Sequence, residues 1–315
     1  MNFILKAAVA LGVIAAPAIV AAQEYPTSQV TVVVPFAPGG SVDVMGRYVS
    51  ESLSKLWGQA VVVENRPGAG SAIGSAHVSQ ARPDGYTLLV VSSSFTTNAA
   101  TQPSLPFDPV EDLKPVAVIA LGDRFVSAGP RLNIGSLEDL VREAKSKKVF
   151  YGTNGVGSLA HMTGELMNDV LGIEMETVHY KGGSEVMVDL GGGRIDVAFS
   201  GYSDLVSGIG KPIAVLSDKR SSVLPDVPTV AEAGFAETVV PNWWGVFAPA
   251  GVPDDVLAKL HSDVVQVMST PEAVEFLATQ AATPSAMATA EFTDYVTDEI
   301  TKWRGIAEKA GMIEQ

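Results

Sequence analysis

Short apolar runs rich in β-branched residues recur along the chain, and amphipathic stretches lie between them. Runs of this kind predict strands that are buried in a sheet. They lie at residues 30–34, 60–63, 87–91, 116–120, 195–199 and 213–216. Between several of these runs the apolar residues recur with a period of about 3.6 residues, which predicts helices.

Four of the predicted helices are located by an apolar face or by a characteristic end. Glycine directly follows two of them, as is common where a helix ends, and a serine and an aspartate resembling a capping box begin another. The residues concerned are Val42, Met45, Val49, Leu53 and Leu56 before Gly58; Leu159, Met162, Leu166 and Val170 before Gly172; Ser136 with Asp139; and Phe292, Val296, Trp303 and Ile306 in the last helix.

The alternation of strand, loop and helix predicts the α/β fold class, with parallel sheets and helices on both faces. No internal repeat or low-complexity tract interrupts the pattern. If the chain forms two lobes, they are therefore joined by short crossings. We expect these crossings near residues 121–125 and 237–243.

The N-terminus has the composition of a signal peptide. Lys6 is the one charged residue before residue 23, an apolar run follows it, and Ala21-Ala22 provides small residues for cleavage. A membrane anchor is the alternative, but a spanning helix needs about 20 apolar residues, and Gly12 and Pro17 weaken this shorter run. We expect residues 1–22 to be removed and the protein to be periplasmic.

Composition narrows the possible functions of the exported chain. It contains no cysteine, which excludes disulfides, a lipid-anchored cysteine and thiolate metal sites. The formal net charge is −14, and an acidic surface disfavours nucleic acid and anionic lipid as partners. We expect a soluble monomer.

Glycine- and serine-rich loops follow several of the predicted strands. In open α/β sheets ligands bind beyond the carboxyl ends of the strands, where free N–H groups at helix starts attract anions. A Gly-Ser pair is also an ordinary turn before a helix, but the repetition favours a shared anion cleft. The loops lie at residues 35–41, 67–71, 92–94, 153–158 and 182–184, and Phe36, between two prolines, is well placed to cover a ligand.

Other chemistries find less support in the sequence. Gly68, Gly70 and Gly74 miss the dinucleotide fingerprint by one residue, and no phosphate-binding P-loop motif occurs, so we expect no cofactor. No G-x-S-x-G nucleophile elbow is present, which leaves Ser41 or Ser158 as candidate nucleophiles of a hydrolase. The four histidines lack the spacing of metal ligands, so we expect no metal site.

Several motifs of the chain, in this order and spacing, resemble those of the tripartite tricarboxylate transporter receptors, the Bug family of periplasmic solute-binding proteins. Each motif is weak alone, but the ordered set extends from about residue 25 to the C-terminus. The motifs are PFAPGGSVD at 35–43, ENRPGAG at 64–70, PDGYTLL at 83–89, YGTNGVGS at 151–158, YKG at 180–182, LPDVPT with AEAG at 224–234 and WGVFAP at 244–249.

The resemblance implies a type II periplasmic-binding-protein fold, with two doubly wound lobes and a ligand cleft between them. We expect residues 23–122 plus 240–315 to form one lobe and 123–239 to form the other. It also implies that the ligand is a carboxylate. The family's ligand-binding loops correspond to Phe36, Gly39, Gly40, Ser41, Gly70, Ser71, Ser92, Ser93, Thr153, Asn154, Gly157, Ser158 and Ser200, and His161 follows in the same helix turn.

The function implied is that of a receptor, not an enzyme, which delivers a small organic acid to a large and a small membrane subunit. A sensing subunit of the same fold, serving a signalling partner, is the alternative. The segment from Phe199 to Pro212 is shorter than is usual in the family. Because that loop borders the cleft, the identity of the ligand cannot be transferred from a relative.

Overall fold

Two β-sheets flanked by helices make up the part of the chain that the computed structural model describes, residues 25–102 and 104–313. The predicted signal peptide at 1–22 lies outside the described residues. The strands are β1 Val30–Val34, β2 Val61–Asn65, β3 Thr87–Ser92, β4 Leu113–Gly122, β5 Arg124–Ala128, β6 Val149–Thr153, β7 Met175–His179, β8 Val197–Gly201, β9 Lys211–Val215, β10 Asn242–Pro249 and β11 Ala282–Pro284.

Ten α-helices of the described residues connect and cover these strands. They are α1 Ser41–Trp57, α2 Ala72–Ser79, α3 Ser94–Thr101, α4 Leu137–Ser146, α5 Leu159–Leu171, α6 Gly183–Gly191, α7 Tyr202–Leu205, α8 Asp254–Met268, α9 Pro271–Ala278 and α10 Thr289–Lys309. Within residues 25–102 and 104–313, no helix has both the length and the apolar character needed to cross a bilayer.

The predicted helices at α1, α4, α5 and α10 are confirmed. Gly58 ends α1 in the left-handed conformation at φ 64°, which glycine adopts without the steric cost of a Cβ atom. The Ser136 side chain accepts a hydrogen bond from the Asp139 backbone N–H at the start of α4. All six predicted strands lie within three residues of those observed; the one predicted at 195–199 begins two residues later, at Val197.

The six-stranded sheet has the order β11-β4-β10-β3-β1-β2, and the five-stranded sheet has the order β7-β6-β8-β5-β9. The prediction of wholly parallel sheets is wrong. Strand β10 runs antiparallel to β3 and β4, and β5 runs antiparallel to β8 and β9. These are the strands by which the chain enters each lobe from the other, so they run away from the cleft while their neighbours run toward it.

The chain passes between the sheets at two places. Asp123 alone separates β4 of the first sheet from β5 of the second, and the return path lies between β9 and β10. The lobe boundaries at 122/123 and 239/240 stay a prediction of the sequence.

The last helix, α10, contributes to the cores of both lobes. Phe292 and Val296 in its first half pack with Trp243 of β10, whereas Trp303 and Ile306 in its second half pack with Met162 of α5. At the centre of the helix the buried Glu299 accepts hydrogen bonds from Trp243 Nε1 and Thr96 Oγ1, both at 2.9 Å. Residues near the C-terminus therefore link the two lobes.

Candidate functional site

A cavity of about 560 Å³ lies between the two lobes, beyond the strand ends at which the chain crosses. The first lobe contributes the loop before α1 and the loop between β3 and α3, and the second contributes the starts of α5, α6 and α7. The lining residues are Phe36, Gly39, Gly40, Ser41, Val42, Ser92, Ser93, Ser94, Asp123, Arg124, Asn154, Leu159, Ala160, Gly183, Ser184, Gly201, Tyr202, Ser203, Asp204, Asn242, Trp244 and Gln280.

A smaller cavity of about 110 Å³ adjoins the first and extends into the second lobe. We call it the inner cavity, and the larger one the main cavity. The inner cavity has polar groups from Thr153, Asn154 and Ser200, together with apolar side chains such as Val186 and Met187. Five residues line both cavities: Arg124, Asn154, Ala160, Gly183 and Asp204.

A buried carboxylate, that of Asp43, holds the first-lobe loop in place. Its Oδ2 atom accepts hydrogen bonds from Gly39 N and Arg47 Nε, both at 2.9 Å, and Oδ1 accepts one from Asn65 Nδ2 at 2.8 Å. Burial alone would raise the pKa of Asp43, but the hydrogen bonds from Arg47, Gly39 and Asn65 outweigh it and lower the pKa to about 2. The network fixes the loop that carries Phe36, Gly39 and Gly40.

Arg124 begins β5 at the crossing between the lobes. One of its guanidinium nitrogens, Nη2, donates a hydrogen bond to the Phe199 carbonyl oxygen at 2.5 Å. Burial lowers the pKa of Arg124 to about 10, and the negative charge of Asp204 opposes that shift. The guanidinium is therefore protonated at neutral pH and contributes a positive charge to both cavities.

Two carboxylates border the same crossing. Asp204 Oδ2 accepts a hydrogen bond from Gly201 N at 3.0 Å and so orders the start of α7. Burial raises the pKa of Asp123, although a hydrogen bond from Ser221 opposes the rise. The side chains that line the cavities thus include more acidic than basic groups, and any attraction for an anion must be local.

The loop after β6 is ordered by two histidines beneath it. His161 Nδ1 accepts a hydrogen bond from Gly157 N at 3.2 Å, while the Ser158 side chain caps α5 by accepting one from His161 N at 3.3 Å. Thr153 Oγ1 lies 2.7 Å from His179 Nδ1. Burial, and secondarily the nearby His179, lowers the pKa of His161 to about 4, so the ring is neutral and can accept the Gly157 N–H.

The predicted site residues fall into three groups in space. Phe36, Gly39, Gly40, Ser41, Ser92, Ser93 and Asn154 line the main cavity, and Thr153, Asn154 and Ser200 line the inner one. Gly70 and Ser71 instead border a separate space of about 10 Å³ beside Asn98. Gly157, Ser158 and His161 are not among the lining residues of the two cavities, and they form the start of α5 where the lobes touch.

Several cavity residues were not among the ligand-binding residues predicted from the sequence. Arg124 and Asp204 are the charged examples, and Trp244, Asn242 and Gly183 are others. The glycine pair before α6 did stand out as one of the recurring loops, and that signal could have found Gly183. Arg124 had no such signal, because it is the first residue of β5 and does not lie in a glycine- and serine-rich loop before a helix.

Hydrolytic machinery is not assembled around the two candidate nucleophiles in the described part of the chain. Ser158 Oγ accepts a hydrogen bond from the His161 backbone N–H, and the Nδ1 atom of the His161 ring accepts one from Gly157 N. No hydrogen bond joins Ser41 to a histidine among these residues. Within residues 25–102 and 104–313, no group of three or more potential metal ligands is gathered in one place.

Comparison with known proteins identifies the family. Residues 45–312 match the model for the tripartite tricarboxylate transporter family receptor. The chain is 35% identical over 306 residues to the protein BugT of Bordetella pertussis, with 95% of this chain and 93% of BugT covered. The chain therefore belongs to the tripartite tricarboxylate transporter receptor family, and the resemblance inferred from its motifs is confirmed.

Solved structures of similar proteins support the same assignment. One is Rpa4515 of R. palustris with adipate, at a TM-score of 0.80 and 32% identity, covering 91% of this chain and 99% of that one. Another is MatC from Rhodopseudomonas palustris with bound malate, at a TM-score of 0.77 and 29% identity, covering 90% and 100%. The fold is that of the two-lobed periplasmic binding proteins of this family, as the motifs predicted.

Proposed function

We propose that this protein is an exported periplasmic receptor that binds one small carboxylate between its lobes. It delivers that anion to a large and a small membrane subunit of a tripartite transporter, and it performs no chemistry on it. The observation that carries the proposal is the main cavity, where the starts of helices from both lobes converge near the half-buried Arg124.

The converging helix starts explain how an acidic protein can hold an anion. Gly40 precedes α1 and Gly182 precedes α6, and neither glycine has a side chain that could occupy the free N–H groups of its helix. Each helix N-terminus carries roughly half a positive charge. The free N–H groups of these two termini and the Arg124 guanidinium attract an anion at short range. The carboxylates of Asp43 and Glu185 in the first turns of the two helices oppose that attraction, and the net charge of −14 opposes it at long range.

The class of ligand is supported by the relatives. Rpa4515 is described with adipate and MatC with malate, and both ligands are dicarboxylates. A cavity of about 560 Å³ is within the size range of small-molecule sites. We therefore propose a small organic acid as the ligand, and a periplasmic location that follows removal of residues 1–22.

A thermal-shift screen over organic acids tests the proposal. An acid at a hundred times its dissociation constant should stabilise the folded protein by about 2.7 kcal/mol. The same acid should be recovered unchanged after prolonged incubation with the protein. If no carboxylate stabilises the protein, or if an ester or acid is turned over, a receptor for carboxylates is the wrong assignment.

A further inference from the structure

Arg124 occupies the boundary between the main and inner cavities, and it lines both. The Phe199 carbonyl accepts one of its five N–H donors. Within residues 25–102 and 104–313, the guanidinium donates no other hydrogen bond, and its buried Nε atom is without a partner. No carboxylate of that part of the chain forms a salt bridge with it. The half-buried Arg124 side chain therefore has N–H donors free to bind a ligand.

The other basic residues near the cleft are already paired or lie outside it. Arg47 is bonded to Asp43 at 2.9 Å, and Arg66 Nη2 is 2.7 Å from Glu64 Oε1. Lys181 is exposed and does not line either cavity. Arg124 is consequently the one basic side chain among the described residues that line the two cavities.

The inner cavity has the size and polarity of a site for one acidic group. Its volume of about 110 Å³ exceeds the roughly 30 Å³ that one water occupies in the liquid, so a carboxylate fits with a water or two. The Asn154 amide and the Ser200 hydroxyl offer hydrogen bonds there. The apolar side chains of Val186 and Met187 lower the local dielectric, which strengthens the attraction between a carboxylate and the guanidinium.

We infer that Arg124 binds one carboxylate of the ligand at the mouth of the inner cavity, and that it thereby distinguishes diacids from monoacids of the same length. This inference rests on the proposed receptor function and deepens it. The helix starts of the main cavity bind the other carboxylate. A ligand with a single acidic group leaves the Arg124 charge unpaired, and burial makes an unpaired charge unfavourable.

The test compares each diacid with its own monoamide, which has nearly the same shape but one negative charge fewer. Titration calorimetry with succinate and succinamate, and with adipate and adipamate, measures the preference for the diacid. For whichever pair binds, the wild-type protein should prefer the diacid by roughly ten- to a hundredfold, since hydrogen bonds between charged groups are about twice as strong as neutral ones.

Arg124→Met should lower that preference to a few-fold or less by weakening diacid binding. Arg124→Lys, which keeps the charge but not the fork of donors, should retain part of the preference. Arg142→Met is the control, because Arg142 is paired with Asp139 on α4 and lies outside both cavities. If Arg124→Met fails to fold, Arg124→Gln retains a donor for the Phe199 carbonyl and serves in its place.

The outcomes separate this inference from the proposed function. If the wild-type protein binds a diacid and the Arg124 variants prefer it over the monoamide as strongly as wild type does, Arg124 does not recognise the ligand, although the receptor function stands. Equal binding of diacid and monoamide by the wild-type protein likewise overturns the inference. If the wild-type protein binds no organic acid at all, the proposed function fails as well.

Discussion

Thr101 at the end of α3 lies so close to Gly157, in the loop after β6, that a Cβ atom added to Gly157 would be 2.3 Å from Thr101 Oγ1. Thr101 belongs to the first lobe and Gly157 to the second, so this contact lies between the lobes. Ala100 beside it packs within the core of the second lobe. The structure therefore has the two lobes in direct contact beside the cavity.

Gly157→Ala should weaken ligand binding, because the added methyl group pushes Thr101 away and disfavours the arrangement in which the two lobes touch beside the cavity. Gly157 also has φ 73°, which strains an alanine. Thr101→Ala removes the Oγ1 and Cγ2 atoms and should restore part of the affinity in the double variant. Calorimetry on the single and double variants measures how far the two substitutions are coupled in their effect on ligand affinity. If their effects on the binding free energy simply add, this contact does not control ligand binding.

Asp43→Ala should lower the free energy of unfolding by about 1–3 kcal/mol, since three donors lose a buried acceptor. It should also weaken ligand binding by releasing the loop that carries Gly39 and Gly40. Because the folded pKa of about 2 lies below the ordinary value of 3.8, the carboxylate stabilises the protein above pH 4, and that contribution is lost as the pH falls from about 4 to about 2.

Denaturant unfolding of wild type and Asp43→Asn across that pH interval checks the assignment. The asparagine variant should be less stable at neutral pH and should lose less stability on acidification. An unchanged pH dependence in the variant would contradict the role given to Asp43. Lys55, in an exposed pair with Glu51 on the same helix, provides a control variant, Lys55→Ala, for which we expect little change.

His161 makes the stability of the folded protein depend on pH in a second, higher range. Its folded pKa of about 4 lies below the ordinary 6.5, so the unfolded chain binds the proton more readily. Stability from this group is complete above about pH 6.5 and is lost as the pH falls toward 4. His161→Asn, which can still accept the Gly157 N–H, should flatten the stability profile in that window, whereas His77→Asn at an exposed position should not. Identical profiles for wild type and His161→Asn would exclude this role.

The sequence located the site through features that depend on short stretches of chain. Ser41 follows β1 and Ser92 ends β3, both at the cleft, and glycine-serine loops before helices can be predicted from neighbouring residues alone. The loop with Gly70 and Ser71 has the same local character, but it follows β2, the edge strand of the order β11-β4-β10-β3-β1-β2. That position brings it beside Asn98 and not into the lining of the cavity.

The sequence did not predict Arg124 as a cavity residue, for a related reason. Its position in the cleft depends on β5 being the strand by which the chain enters the second lobe, and thus on strand order and direction. Hydrophobic periodicity reports which residues are buried, but not which end of a strand meets the other lobe. The same limitation applies to β5 and β10, because periodicity does not report whether a strand runs parallel or antiparallel to its neighbours.

The most direct test of anion binding in the interlobe cavity compares Gly183→Asp with Gly183→Asn. Gly183 begins α6 and lines both cavities, and an added Cβ atom there would meet its nearest neighbour, Asp204 Oδ1, at 3.7 Å, so both side chains start from unoccupied space. The two substitutions match in size and differ by one negative charge. Calorimetry with the acid found by screening should show at least a hundredfold weaker binding for Gly183→Asp than for Gly183→Asn, about 2.7 kcal/mol or more. Equal affinities of the two variants, with both folded, would contradict an anion site between the lobes.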